Sequence, residues 1–442
     1  IKMNKIYNTK IVFLFSLSLI LLTVTKNLLA SNLSCGILLN EHSCLIPSEL
    51  CNSEFIISSD DITGTNQDPK LGKFVPITYD VNQLKYFFKA LNNSKSAKVR
   101  IAYYGDSIIF GDVITEYLRE KFQQQFSGQG VGFVSTIAED YRMRRTINQT
   151  YSDDWKTASF ISRNPDNLPF GISGMVSIPK IGSWIKFEAA SNFKLSSSFD
   201  IIKIYYSDAD QNSVIEYKID SGIQKKVSLQ NGNDIKELII NDKNGAKKFE
   251  LQFISGKTPN FYGISFESRN GVYLDNFSMR GNTGVSLLDI SPQVLKDFDK
   301  YLSYDLVILH FGANVSAPNR SIFNIYENKM INVVNEFKKV FPGASFLIIS
   351  SADKAMKKGS EFITNPEITF LLETQKRIAE KTGIAFWNLW EAMGGYNSMN
   401  TWVNVAPPKA LKDYCHFTTE GGERVSELFF ESIIDAFQKY SK

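Results

Sequence analysis

Two short stretches of this 442-residue chain place residue types that acyl transfer needs beside one another in chemistry, though far apart in sequence. Gly105-Asp106-Ser107 closes the apolar run Lys98 to Tyr104 and precedes a helical stretch, Val113 to Phe126. Asp413-Tyr414-Cys415-His416 stands just before the last helical stretch. A Ser hydroxyl becomes a useful nucleophile when a base takes its proton, and the base needs an acid behind it to fix its tautomer. Asp413 and His416, three residues apart on a turn, can both face one Ser. Ser107, His416 and Asp413 are therefore the candidate nucleophile, base and acid. Taken singly each has a plainer reading: a Ser at a strand–helix turn as a helix cap, a His near a helix start as a surface group.

Two more segments strengthen the set. Asn276 to Thr283 contains Gly281, and Gly312-Ala313-Asn314 directly follows the apolar run Leu306–Phe311. An oxyanion needs donors converging on one point, and the Ser107 amide, the Gly281 amide and the Asn314 side-chain amide could supply three. Alone, each Gly or Asn is turn chemistry. Together they sit at strand ends, where open α/β sheets place their ligands.

The elements that must hold these residues are legible in outline. Val81, Leu84, Phe87, Phe88 and Leu91 have helical spacing, and Asp112 is a candidate N-cap for the helix after Ser107. Between about 176 and 268, short alternating runs recur: Trp184–Phe187, Ile201–Tyr206, Val214–Ile219, Lys226–Leu229, Leu238–Ile240, Phe249–Ile254 and Tyr262–Phe266. Turn residues separate them, which predicts a β-sandwich. After 280 strands and helices alternate again: a helix over Ile322–Phe341 ended by Pro342-Gly343, a strand over Phe346–Ser350, a helix over 366–382, a strand over Ile384–Trp387 and a helix over Thr419–Tyr440. That texture predicts a doubly wound α/β domain carrying an inserted β domain.

The four blocks around Ser107, Gly281, Asn314 and Asp413/His416 resemble, in order, those of the SGNH (GDSL-like) hydrolases. The resemblance implies a Ser-His-Asp esterase or acyltransferase on a flavodoxin-like sheet, with no metal or other cofactor. A narrower likeness, carried by Gly111-Asp112, Gly130-Val131-Gly132-Phe133, Trp387, Met393-Gly394-Gly395, Trp402 and the stretch Asp413 to Thr418, is to bacterial peptidoglycan O-acetylesterases. Those proteins carry a carbohydrate-binding-like β-sandwich between the first and second blocks, where the insertion falls here. One departure stands out: Asn314 is followed by Val315, where the family often has an acid. The expected organisation is a signal peptide at 1–30, an N-terminal extension at 31–95, a hydrolase domain at 96–145 and 271–442, and a β-sandwich at 146–270. The implied activity is removal of O-acetyl groups from an envelope polysaccharide. The alternatives are a polysaccharide O-acetyltransferase with the same triad, and a non-catalytic glycan-binding protein using Trp184, Tyr205, Tyr206 or Tyr217 to stack on sugars, although aromatics in alternating strands usually face a core.

Composition narrows the partners. Lys2, Lys5 and Lys10 precede the apolar run Ile11–Leu22, and Leu28-Leu29-Ala30 follows. This is an export-signal pattern, short for a membrane span of about 20 apolar residues, with an uncleaved anchor as the rival reading, and it predicts a periplasmic or secreted protein. The formal charge of +3 comes from 49 basic and 46 acidic residues, and residues 1–30 hold four of the lysines and no acid. Without them the chain is nearly neutral, giving no reason to expect nucleic acid or an anionic membrane as partner. The partner expected is a polysaccharide or small ester. Four cysteines (Cys35, Cys44, Cys51, Cys415) leave the pairing open, with Cys44–Cys51 the shortest closure. Three histidines and no CxxC pair argue against a structural zinc.

Overall fold

The computed structural model describes residues 71–315 and 320–441. The expected export signal and Cys35, Cys44 and Cys51 lie outside the described residues. The strands of the central sheet are numbered β1 (Thr78–Tyr79), β2 (Lys98–Gly105), β3 (Gly271–Ser278), β4 (Leu306–His310), β5 (Ser345–Ile349) and β6 (Ala385–Trp387). Their order across the sheet is β1-β6-β5-β4-β2-β3. β2 to β6 run parallel, and the two-residue β1 pairs antiparallel with β6 at one edge. Counted along the chain, the parallel strands are ordered 2-1-3-4-5, a doubly wound pattern whose direction reverses between β2 and β4.

The helices are α1 (Lys85–Asn92), α2 (Thr115–Phe126), α3 (Pro292–Leu302), α4 (Arg320–Val340), α5 (Pro366–Thr382), α6 (Leu389–Met393), α7 (Ser398–Asn404) and α8 (Thr419–Tyr440). They cover both faces, so β4 and β5 are buried at every position, as continuous apolar strands between two helical layers must be. Alternate residues serve alternate cores. Val307, Leu309, Phe346 and Ile348 pack with Phe298 of α3, Val333 and Phe337 of α4 and Ile378 of α5. Leu306, Ile308, Leu347 and Ile349 pack with Phe87 of α1, Phe122 of α2 and Phe429 of α8. Residues 71–95, expected as an extension, thus contribute an edge strand and a packed helix; the Phe87 amide donates to Ser345 Oγ at 3.0 Å. Among the described residues no helix is long and apolar enough to cross a membrane.

Between α2 and β3 the chain forms two antiparallel sheets. One has five strands in the order Lys225–Ser228, Val214–Ile219, Lys248–Ser255, Trp184–Ala189, Ile147–Tyr151. The other runs Lys236–Ala246, Phe199–Ser207, Asn260–Glu267, Met175–Ile178, Lys156–Ser159. Gly132–Ser135 also pairs with Asn260–Glu267, so this pairing begins ahead of the boundary expected at residue 146. The single Gly–aromatic stretch that forms it is too short to show alternation in sequence. Ile202, Ile204 and Tyr206 share a core with Ile185, Phe187, Phe249, Leu251 and Phe253 of the facing sheet. On the opposite side of their own sheet, Tyr205 and Tyr262 pack against Phe298 of α3. Tyr205 and Tyr206 are therefore interior residues, unavailable to a sugar.

A buried polar network holds these sheets to the central one. Arg100 on β2 donates to Asp275 Oδ2 on β3 at 2.6 Å, to Ser265 Oγ at 3.3 Å and to Glu267. Lys98 also donates to Glu267, and Tyr304 OH donates to Asp275 Oδ2 at 2.7 Å. The other Asp275 oxygen accepts the Phe133 amide at 2.8 Å. Burial alone would raise the Glu267 carboxyl; Arg100 and then Lys98 outweigh it and hold it down to about 2. A carboxyl held below its unfolded value of about 4.3 stabilises the fold at neutral pH, and that stability disappears as pH falls through the window between the two values. Urea midpoints should drop as the pH is lowered from about 4.5 toward 2. Glu267→Gln should flatten that part of the profile and cost about 3–5 kcal/mol at pH 7, since it breaks a buried pair from one side.

Candidate active site

Ser107 follows β2 and Gly312-Ala313-Asn314 follows β4, the two neighbouring strands at which the sheet reverses direction. The chain leaves β2 through Asp106, which is fully buried. Its Oδ1 accepts the Ile108 amide at 2.9 Å and caps a short 3-10 turn, Ser107–Asp112. Its Oδ2 accepts the amides of Gly312 and Ala313, each at 2.9 Å. Burial raises the Asp106 carboxyl, opposed by these three amide hydrogen bonds. One side chain thus joins the loop of Ser107 to the loop of Asn314. The turn reverses at Gly111, where φ is +70° and a Cβ would meet that of Met143 at 2.7 Å; glycine is required there.

Asp112 is not the N-cap expected from sequence. The α2 helix starts at Thr115, with Ile114 at the cap position and Asp112 in left-handed backbone at φ +68°. The Asp112 carboxylate is instead a buried hub. It accepts Thr115 Oγ1 at 2.7 Å, Asn276 Nδ2 and Thr146 Oγ1 at 2.9 Å and Arg119 Nη1 at 3.1 Å. Burial opposes ionisation, but Arg119 and then Arg144 hold the carboxyl well below the usual carboxylate range. Asn276 on β3 also donates to the Ile109 carbonyl at 2.8 Å, so the second segment grips the Ser107 turn from beneath.

Gly281 lies just beyond β3 at φ +74°, with open space where a side chain would point. Among the described residues, no protein acceptor engages the amides of Ser107 or Gly281. Asn314 Nδ2 donates to the Asn282 carbonyl at 3.2 Å, which places the Asn314 side chain against the Gly281 loop.

His416 Nε2 lies 2.7 Å from Ser107 Oγ, and His416 Nδ1 lies 2.7 Å from Asp413 Oδ2. Asp413 Oδ1 accepts the Cys415 and His416 amides, both at 3.0 Å, and closes the turn on itself. Burial would raise the Asp413 carboxyl, but its hydrogen bonds from His416 and Cys415 outweigh this and keep it below the usual range. The pair is not deeply buried: the side chains of His416 and Asp413 are 35% and 46% exposed. Burial pushes the Cys415 thiol up to about 12, so it stays protonated at neutral pH and packs against the core. The other described histidine, His310, is buried with Nδ1 3.0 Å from Tyr103 OH, and burial pushes it down to about 3, so it is neutral.

All five residues expected at the site are brought to one end of the sheet. The joints Asp106, Asp112 and Asn276 were missed as such; their only signal in sequence was a polar side chain at the end of an apolar run. Asp106→Ala would leave three amides without their acceptor, two of them buried, at about 1–3 kcal/mol for each unsatisfied buried group. The expected outcome is a stability loss of about 3 kcal/mol or more in urea unfolding, with faster amide hydrogen exchange at Gly312 and Ala313. Asp106→Asn, which keeps one acceptor oxygen, should lose less.

No family model matches the chain, and no curated protein matches its sequence. Solved structures do match. A peptidoglycan O-acetylesterase superposes with a TM-score of 0.68 at 20% identity, covering 82% of this chain and 99% of that one. A family two carbohydrate esterase from Cellvibrio japonicus superposes far more loosely, with a TM-score of 0.28 at 8% identity over 66% of this chain and 98% of that one. A salicylyl-acyltransferase from a tetracycline biosynthetic pathway does so with a TM-score of 0.31 at 12% identity over 69% and 96%. The chain has the mixed α/β fold of the first of these structures.

Proposed function

We propose that the protein is a serine esterase that removes O-acetyl groups from a cell-envelope polysaccharide, with peptidoglycan the first candidate. The observation that carries this reading is the chain of contacts Ser107 Oγ–His416 Nε2 and His416 Nδ1–Asp413 Oδ2, both 2.7 Å. His416 takes the Ser107 proton as the hydroxyl attacks the acetyl carbonyl. The negative oxygen that forms is stabilised by the Ser107 and Gly281 amides and by Asn314. His416 then gives the proton to the departing sugar hydroxyl, leaving an acetyl-Ser107 ester. Water, deprotonated by His416, attacks that ester, and acetate leaves as His416 returns the proton to Ser107 Oγ. Asp413 holds the His416 tautomer and offsets its positive charge in both steps.

The choice of acetyl and of peptidoglycan is supported by the fold shared with a peptidoglycan O-acetylesterase. The matched 82% of this chain exceeds what the α/β part alone could supply, so the likeness reaches into the antiparallel sheets. On this reading those sheets are an inserted β-sandwich that helps hold the glycan, and the protein works outside the cytoplasm.

The test is hydrolysis of p-nitrophenyl acetate, butyrate and octanoate by the wild type beside Ser107→Ala, then acetate release from O-acetylated peptidoglycan. The acetate ester should be preferred, and Ser107→Ala should abolish turnover. Asn314→Ala should lower kcat by about 10²–10³. Full activity in Ser107→Ala would overturn the assignment. An acetyl group passed on to an added glycan faster than to water would make the enzyme a transferase.

A further inference from the structure

Ser107, Gly281 and Asn314 are stitched together by buried hydrogen bonds, but the turn carrying Asp413 and His416 is not. It is half-exposed, and Tyr414, between the acid and the base, holds left-handed backbone at φ +57°. A bulky residue is strained there and keeps that conformation only where its surroundings impose it. Beside the core that Tyr414 packs against and the short bonds of its own turn, those surroundings include one hairpin, Ala355–Lys358 paired with Glu361–Thr364. The Phe362 ring lies flat on the Tyr414 ring, with centroids 3.7 Å apart and planes inclined by 6°. The Ala355 amide donates to the Tyr414 carbonyl at 3.0 Å.

The hairpin is fixed at its base. Thr364 Oγ1 donates to buried Asp353, which it approaches at 2.9 and 3.1 Å, and accepts the Asn397 amide at 2.7 Å. Asn397 Oδ1 accepts the Thr364 amide at 3.0 Å, and Asp353 Oδ2 accepts the Met399 amide at 2.9 Å. Lys354 Nζ, one residue ahead of the hairpin, donates to the Ala313 carbonyl at 3.3 Å, in the loop of Asn314. The hairpin therefore spans from the loop of the proposed oxyanion donor to the turn of the proposed base.

We infer that Phe362 is a positioning residue: by clamping the Tyr414 ring it sets Asp413 and His416 over Ser107. This rests on the esterase reading above. Phe362 touches none of the reacting atoms, so its loss should slow the chemical step and leave binding of a small ester nearly unchanged. An error of about 1 Å in such a constellation costs about 10²-fold in rate.

The experiment measures kcat and KM for p-nitrophenyl acetate, the rate at which a fluorophosphonate labels Ser107, and the melting temperature, in the wild type, Phe362→Ala, Phe362→Leu and Phe362→Tyr. For Phe362→Ala, kcat and the labelling rate should fall about 10- to 100-fold at an assay temperature where the protein is folded, with KM nearly constant. Phe362→Tyr, which restores a flat ring, should recover most of the loss. If the alanine variant melts too low, the leucine variant, with bulk but no flat ring, carries the same comparison. An undiminished kcat, or a rise in KM alone, would overturn the inference and leave the esterase reading intact. A wild type that neither hydrolyses the ester nor takes the label would overturn both.

Discussion

The Asp106 carboxylate is the joint on which the geometry of the site depends. A parallel sheet delivers its strand ends side by side, but it leaves the loops beyond them without backbone partners. Asp106 supplies the missing acceptors: one oxygen takes the amide of its own turn at Ile108, and the other takes two amides from the neighbouring loop at Gly312 and Ala313. The carboxylate is fully buried, so each of those bonds forms in a low dielectric where leaving it unmade is costly. That is why the residue beside Ser107 has to be an acid of this length. A shorter side chain would reach only its own turn, and an apolar one would leave buried donors unsatisfied.

The remaining polar joints extend the same principle across the sheet. Asn276 reaches from β3 to the Ile109 carbonyl and to Asp112, and Arg119 returns from α2 to the same carboxylate and to the Leu274 carbonyl at 3.1 Å. The turn of Ser107 is gripped from three elements that are distant in sequence. The Asp413–His416 turn follows a different logic. Its short-range bonds, from Asp413 Oδ1 to the next amides and from the Leu411 amide to the His416 carbonyl at 2.8 Å, fix its internal shape. Its orientation toward Ser107 comes from a neighbouring hairpin. On the proposed esterase reading, a firmly held Ser107 facing a clamped His416 suits a reaction in which His416 accepts a proton at Ser107 and later delivers one elsewhere.

How much of this was legible in the sequence follows from the range of each interaction. The α5 helix could be read to its ends because Asn365, Pro366 and Gly383 are local signals: a side-chain cap, a proline in the first turn and a left-handed stop. Strands β4 and β5 were visible as unbroken apolar runs because both their faces are covered. Ser107, Gly281, Asn314, Asp413 and His416 could be chosen because their types match a chemistry: Ser107 and Asn314 follow such runs, and Asp413 and His416 stand just before the last helix. What could not be read depends on partners far along the chain. Asp112 has the appearance of a cap beside a helix, yet its partners Thr146 and Asn276 lie 34 and 164 residues away. The hairpin Ala355–Thr364 contains Lys357, Lys358 and Gly359 and has no apolar alternation long enough to predict two strands. Gly132–Ser135 is a strand only because Asn260–Glu267 is there to pair with it.

The attachment of the antiparallel sheets bears on the site as well. The strand Asn260–Glu267 is buried at every position, with the five-stranded sheet on one side of its sheet and α3 and the Arg100 network on the other. A freely hinged appendage would meet its neighbour across a wet, weakly packed boundary. Here Asp275 bonds at once to Arg100, Tyr304 and the Phe133 amide, so the strand that leads into the second site segment is shared with the joint between the two parts. Three residues past the end of that strand stands Gly281. On the proposed reading, a polymer held across the antiparallel sheets would meet the site at a fixed distance and angle. On the same reading, selection among esters on the chain would come from the register of the glycan.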